Sequence, residues 1–315
     1  INAEYGEMRK FVDLPSDSIQ CVASNGELLC VCAWDKSLSV YILKTGKLQF
    51  RVQLPAFPLC CIFHGDCVLA GCSDSQVHEV NLVSTLQAPF FKAGGAVRTL
   101  HLYQERFLVL TTLSGELVGL NLETAQQTQV QLQNRCFSSS LCDQQLLIGT
   151  SCRKLLLFEL KLQNNSLQFI QKTDSESALR HQTSRVLLSR DFQITASVEG
   201  RISVQGSQPN TSTDQFAFKA HKLQQEAEQV SFQVSDMALF GNKLISAGGD
   251  GMVYFWDLGQ RKKVFKIDEG YAVKCLLVVG EELVMCKSYG WENREAGQQG
   301  EQIGIDVVRL GELGL

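Results

Sequence analysis

Twelve cysteines and five histidines are the side chains of this 315-residue chain best equipped for chemistry, and their spacing limits what they can do. A metal site built from neighbours in sequence uses pairs such as Cys-x-x-Cys or His-x(3–5)-His, and neither occurs. Most cysteines lie in short apolar runs, among them Cys30, Cys32, Cys60, Cys61, Cys72, Cys275 and Cys286. Cys30 and Cys32, two apart, face one side of a strand. The expectation is a set of reduced, metal-free thiols acting as small buried hydrophobes in a reducing compartment. The histidines His64, His78, His101, His181 and His221 are scattered, and structural or solvated roles are expected of them. Gly248-Gly-Asp-Gly251 could pass for a phosphate loop. It sits between two strand-like runs and not ahead of a helix, so no helix dipole is there to hold a phosphate. As a tight turn it needs glycine for positive φ. There is no Gly-x-Ser-x-Gly elbow and no phosphate-loop signature. No enzyme and no cofactor are expected.

What remains is recognition, and the residues for it recur at a fixed interval. Ser246-Ala-Gly-Gly-Asp-Gly-Met-Val-Tyr-Phe-Trp-Asp257 runs from an apolar stretch through a polar turn to an aromatic-acid ending. The same frame returns around Asp35, Asp74, Ser114, Cys152, Glu199 and Asp250, at intervals of 39, 40, 38, 47 and 51 residues. Three residues past each marker stand Leu38, Val77, Leu117, Leu155, Ile202 and Val253, all aliphatic. A seventh apolar run, Leu283–Cys286, precedes Ser288-Tyr-Gly-Trp-Glu292, and Gly290 lies 40 residues beyond Asp250. A period near 40 residues with about four short apolar runs per repeat is the mark of a propeller blade. The fold class expected is all-β, a seven-bladed WD-repeat β-propeller spanning residues 1–315 as a single domain. A strand at about 8–13 should pair into the last blade, close the ring and remove its exposed edge.

In such a ring the marker turns share one face with the exits of the outermost strands. That face gathers the candidate binding residues Trp34, Glu199, Arg201, Lys219 and Lys222. Trp34 is a large aromatic beside cations on a turn, which suits a peptide hot spot, or is a ring folded onto the next blade. Arg201 offers a forked donor for a carboxylate, or pairs within its own blade to Glu199. Lys219 and Lys222 could meet an anion or be ordinary solvated charge. Arg261-Lys-Lys263 falls on the opposite rim and reads as a solvated turn. Composition sets outer bounds: 44% apolar, 20% charged, net charge −4, and no apolar run near the ~20 residues that span a bilayer. A weakly acidic chain is a poor non-specific partner for phosphate backbones.

Five segments resemble one family. Glu176-Ser-Ala-Leu-Arg-His-Gln-Thr-Ser-Arg185 is similar to Glu-Ser-Ser-Leu-Lys-Tyr-Gln-Thr-Arg, and Ser197-Val-Glu-Gly-Arg-Ile-Ser-Val204 to Ser-Ile-Glu-Gly-Arg-Val-Ala-Val. Phe216-Ala-Phe-Lys-Ala-His-Lys222 resembles Tyr-Ala-Phe-Lys-Cys-His-Arg, and Ala247–Trp256 resembles Thr-Gly-Gly-Ser-Asp-Gly-x-Val-x-x-Trp. Lys287-Ser-Tyr-Gly-Trp-Glu292 resembles Ser-Ser-Tyr-x-x-Glu. Order and spacing hold from about Phe11 to Leu310. The family is that of the spindle-checkpoint WD-repeat propellers (the Bub, or budding-uninhibited-by-benzimidazoles, proteins), with its Rae/Gle relatives in messenger-RNA export. Gln205, Gly206 and Ala220 depart from its pattern.

The resemblance implies a non-catalytic adaptor at kinetochores, in the nucleus and also the cytoplasm. Its implied partners are acidic GLEBS-type peptides of the checkpoint kinase and its pseudokinase relative. Phosphorylated Met-Glu-Leu-Thr repeats of the outer-kinetochore scaffold are implied as well. By position, Arg201 matches the arginine that meets a peptide glutamate, Lys222 matches the basic residue that meets the phosphothreonine, and Trp34 matches an aromatic of the same turn. No membrane, no direct nucleic acid and a monomeric state are expected. Two alternatives stay open: an export propeller that binds a nucleoporin peptide, which the acidic charge disfavours, and, more remotely, a propeller hydrolase.

Overall fold

The computed structural model describes residues 8–207, 215–225, 228–289 and 303–314. Seven four-stranded antiparallel sheets make up the ring, each with strands a to d from the axis outward. The a strands are Ile19–Ser24, Pro58–His64, Val97–Tyr103, Cys136–Cys142, Thr183–Leu188, Val234–Phe240 and Val273–Val279. Each packs beside the next, and the seventh returns to the first. Strands b and c lie between neighbouring blades and are buried on both faces, as in Leu28–Ala33 and Phe107–Thr112. That is why they read as continuous apolar runs. The d strands have one solvated face and alternate, as Lys47–Gln53 does.

Burial follows the ring. Among the described residues the apolar core divides into seven clusters, one in each seam between consecutive blades. The seam between blades 4 and 5 is the smallest, built on Leu147, Leu155, Leu157, Val186 and Leu188.

The ring is closed by the N-terminal segment. Arg9–Lys10 pairs antiparallel with Gly304–Arg309, Arg9 opposite Val307 and Lys10 opposite Asp306. The strand is shorter than the stretch 8–13 expected from sequence, although the Phe11 amide still donates to the Ile305 carbonyl at 3.2 Å. Arg9 fixes it further, with Nη2 2.9 Å and Nη1 3.2 Å from the two Glu282 carboxylate oxygens. The seventh marker, Gly290, lies outside the described residues.

Two features were not expected. A two-stranded hairpin, Lys222–Gln225 with Glu228–Ser231, stands between blades 5 and 6. And every a strand carries a one-residue register shift against its b strand, at Gln20, Leu59, Arg98, Phe137, Ser184, Ser235 and Lys274. A bulge leaves one residue unpaired and re-aims its side chain. Five of the seven, Gln20, Arg98, Ser184, Ser235 and Lys274, line one mouth of the central channel.

Candidate functional site

Glu199-Gly-Arg201 forms the turn between strands b and c of blade 5. Gly200 has φ +73°, and a Cβ there would press into the carbonyl oxygens of His221 and Phe232. Its own carbonyl accepts from the amides of Ala220, at 2.8 Å, and His221, at 3.1 Å. Gly200 therefore clamps the exit of strand d against the turn, as only a residue without a side chain can. The clamp sets Lys222 beside the turn. Around the Glu199 carboxylate stand His181 Nε2 at 3.4 Å, Arg201 Nε at 4.0 Å and Lys222 Nζ at 4.0 Å. Arg201 thus has a partner within its blade, but a long one, and its side chain is still 32% exposed. Lys219 lies opposite Arg201 in the ladder and is exposed.

Beneath this cluster runs a buried polar relay. His221 Nδ1 lies 2.8 Å from Asp250 Oδ1 and Nε2 3.0 Å from Ser246 Oγ, while the Trp256 indole N–H donates to the same hydroxyl at 2.9 Å. His221 and Asp250 are fully buried. His221 and the Gly248-Gly-Asp-Gly251 turn are thus structural, as expected.

Trp34 sits elsewhere, on blade 1. It packs tilted against Phe57, with ring centroids 5.5 Å apart, and Lys36 Nζ lies 5.0 Å from the Phe57 ring. Phe57, on the connector into blade 2, is tied to that blade's b–c turn by paired bonds with Ser73. Packing across the seam leaves Trp34 41% exposed. The structure thus gathers Glu199, Arg201 and Lys222 around the b–c turn of blade 5, Lys222 from the hairpin that follows that blade, and puts Trp34 apart, where it borders the channel mouth.

That mouth holds residues that sequence reasoning missed. A depression of about 590 Å³ is lined by Trp34, Phe57, Arg98, Arg185, Lys274 and Tyr289 together with smaller polar groups. Arg98 and Lys274 are at bulge positions, and Arg185 follows one. Burial, with Arg185 close by, pulls the Arg98 guanidinium down to about 10. Arg185 Nε pairs with Asp236 Oδ1 at 3.3 Å, and the other Asp236 oxygen accepts from the Leu276 amide at 2.9 Å. Three cations outnumber two carboxylates, Asp17 in the lining and Asp236 beside Arg185, under two exposed rings, which makes a surface for an anionic chain with an apolar residue. The signal in sequence was basic residues one or more blade periods apart, hidden by ordinary alternation.

On the opposite rim Arg261 is not simply solvated: its guanidinium stacks 4.8 Å from the Phe216 ring, and Lys263 Nζ lies 4.7 Å from Tyr254. Among the described residues, two clusters have metal-ligand composition. Cys72, Asp74 and His78 bring sulfur, carboxylate and imidazole within 4.8 Å. Burial pushes the Cys72 thiol up to about 12, so it is no thiolate nucleophile near neutral pH. The other is Cys21, Cys32 and Cys61, at the seam of blades 1 and 2.

No family model matches the chain. It is similar to the spindle assembly checkpoint protein bub3 of Schizosaccharomyces pombe, 31% identical over 136 residues and 41% of each chain. It is similar to the protein Rae1 of Drosophila melanogaster, 26% identical over 273 residues, 79% of this chain and 78% of the relative. The mRNA export factor of Mus musculus is 28% identical over 177 residues, 51% of this chain and 47% of the relative. The chain thus matches less than half the length of the yeast and mouse relatives, and most of the fly protein. Seven blades and the N-terminal closing strand make the chain a seven-bladed β-propeller, similar in sequence to the checkpoint protein bub3 and to the Rae1 and mRNA export factor proteins.

Proposed function

We propose that the chain is a non-catalytic spindle-assembly-checkpoint adaptor, working in the nucleus and at kinetochores, that holds short acidic peptide segments across the face bearing its b–c turns. One observation carries this reading: Arg98, Arg185 and Lys274 line a single depression with Trp34 and Phe57. An acidic GLEBS-type segment of a checkpoint kinase or its pseudokinase relative has the chemistry to fill it, carboxylates to the cations and an apolar side chain to the rings. Arg201 is placed to meet a glutamate of the same acidic segment, and Lys222 with the exposed Lys219 adds a second cationic spot beside it, suited to a phosphothreonine of a Met-Glu-Leu-Thr repeat. A phosphate carries nearly two charges and several acceptor oxygens. Lysine meets it as a point charge, so binding there should be weaker than to arginine and fall steeply with salt.

Calorimetry with both peptides tests the reading. Lys222→Glu should cut binding of the phosphorylated repeat and spare the acidic segment, whereas Trp34→Ala should weaken the acidic segment through lost apolar contact. Equal affinity for phosphorylated and unphosphorylated repeats at low salt would remove phosphate reading from the proposal. The export reading keeps one support, the long alignment to the fly Rae1 protein. Preference for a nucleoporin peptide over the kinase segment, with retention of RNA, would favour it. The net charge of −4 weighs against RNA.

A further inference from the structure

We infer that Cys21, Cys32 and Cys61 form a three-thiolate site for zinc in the seam between blades 1 and 2. Nothing in the spacing of cysteines along the chain announces it, because the ligands come from three strands. Cys21 is on strand a and Cys32 on strand b of blade 1, and Cys61 is on strand a of blade 2. The sulfurs of Cys21, Cys32 and Cys61 all lie within 4.8 Å of one another, and Cys21 and Cys61 are 3.8 Å apart. Tetrahedral zinc with Zn–S bonds of about 2.3 Å separates its sulfurs by about 3.8 Å. One edge of the tetrahedron is therefore already at ligand spacing. The other two sulfur–sulfur edges must close by about 1 Å at most. The fourth position is left to water from the channel, as in zinc sites with three protein ligands.

The corresponding positions of another seam sharpen the argument. Between blades 3 and 4 the equivalents of Cys21, Cys32 and Cys61 are Thr99, Thr111 and Ser139. Those hydroxyls satisfy one another, Thr99 to Thr111 at 2.7 Å and Thr99 to Ser139 at 2.6 Å. The fold thus brings three side chains to one point there, and hydroxyls use the convergence for hydrogen bonds. Thiols are weak donors and weak acceptors. At the same point in blades 1 and 2 they leave their lone pairs underused, and a soft cation is what thiolate lone pairs bind.

Access and charge fit the assignment. Cys21 and Cys61 are half-buried and line a cavity of about 330 Å³ in the central channel, which gives an ion a path in. Binding deprotonates the three thiols and releases three protons, so the occupied site carries three negative charges against two positive. Arg98 lines the same cavity and so offsets the excess.

Cobalt(II) titration of the fully reduced chain tests the site, because tetrahedral thiolate coordination produces thiolate-to-cobalt charge-transfer and intense d–d bands. The expected result is saturation at one cobalt per chain and displacement by zinc. Cys61→Ser should weaken binding by more than the about 10- to 100-fold that loss of an outer-sphere partner costs. Cys136→Ser, a buried thiol of the blade 3–4 seam, should leave the spectrum unchanged. A reduced, folded wild-type chain that shows no charge-transfer band overturns the site. So does one that takes copper(I) through three sulfurs while refusing cobalt and zinc. The wild-type titration decides even if a cysteine variant fails to fold.

Discussion

At the scale of single residues, the Glu199 carboxylate governs how Arg201 and Lys222 meet a ligand. In the free protein it draws both, at 4.0 Å each, and His181 at 3.4 Å. An incoming acidic side chain has to compete with it. The contacts are long and partly exposed, so each is worth about 0.2–1 kcal/mol. Glu199→Gln removes the competitor while keeping the shape, and affinity for an acidic peptide should rise by up to about fivefold. Arg201→Ala should act oppositely. Truncating one half of a bound, hydrogen-bonded charge pair costs about 2–5 kcal/mol, and the partial exposure of Arg201 puts the loss at the low end, about 30-fold. Calorimetry on the two variants checks the pair. Weaker binding by Glu199→Gln would mean that the carboxylate orients the cations and does not compete with the ligand.

At the scale of elements, what holds the blade 5 cations is the close approach of the b–c turn to the exit of strand d, and Gly200 permits it. Gly200→Ala adds a Cβ where the His221 and Phe232 carbonyls already stand, at a backbone conformation with φ +73°. The turn has to move off strand d, so the buried His221–Asp250 pair and the spacing of Lys222 from Glu199 should both be disturbed. A cost of about 1–3 kcal/mol is expected, read as a lower melting temperature together with loss of phosphopeptide binding. An unchanged melt would show that the turn relaxes freely. Much of this architecture was legible in the residues. Strands b and c are buried on both faces and so left continuous apolar runs such as Leu28–Ala33 and Leu244–Ala247, while the polar turns between them gave the period. The bulges were not legible. A one-residue register shift leaves no mark on the pattern of apolar residues, so Arg98 and Lys274 looked like ordinary polar positions of a strand. The hairpin from Lys222 to Ser231 was hidden for another reason: its glutamines and glutamates read as a polar linker. The meeting of Cys21, Cys32 and Cys61 depends on distances between strands, which spacing along the chain does not carry.

At the scale of the whole molecule, a chain of net charge −4 concentrates Arg98, Arg185, Lys274, Arg201 and Lys222 on one face. Attraction to an acidic peptide is therefore local and screened beyond about 8–10 Å. That face is only as well ordered as the ring that carries it, and the ring depends on its closure. Seven sheets with seven separate seams have no common core, so an opening at one seam is not prevented by the others. At the joint between blades 7 and 1 the chain uses Arg9–Lys10 as the outermost strand, the Arg9–Glu282 pair, and an Arg9 bond to the Leu43 carbonyl at 3.0 Å. Arg9→Ala removes two of these three and keeps the backbone ladder. With the pair about a quarter exposed, the loss should be near 1 kcal/mol, a shift of a few degrees in melting temperature. Deleting residues 1–10 removes the ladder as well and leaves the edge of Gly304–Arg309 bare. A bare edge strand is a template for another chain. The truncated protein should therefore melt lower than the Arg9→Ala variant and should self-associate as concentration rises, while the intact chain sediments as a monomer. Thermal melts and sedimentation velocity across a range of concentrations separate the two effects. A truncated chain that melts like wild type and stays monomeric would mean that the seam between blades 7 and 1, built on Phe11, Ile19, Leu29 and Ile305, holds the ring shut without the strand.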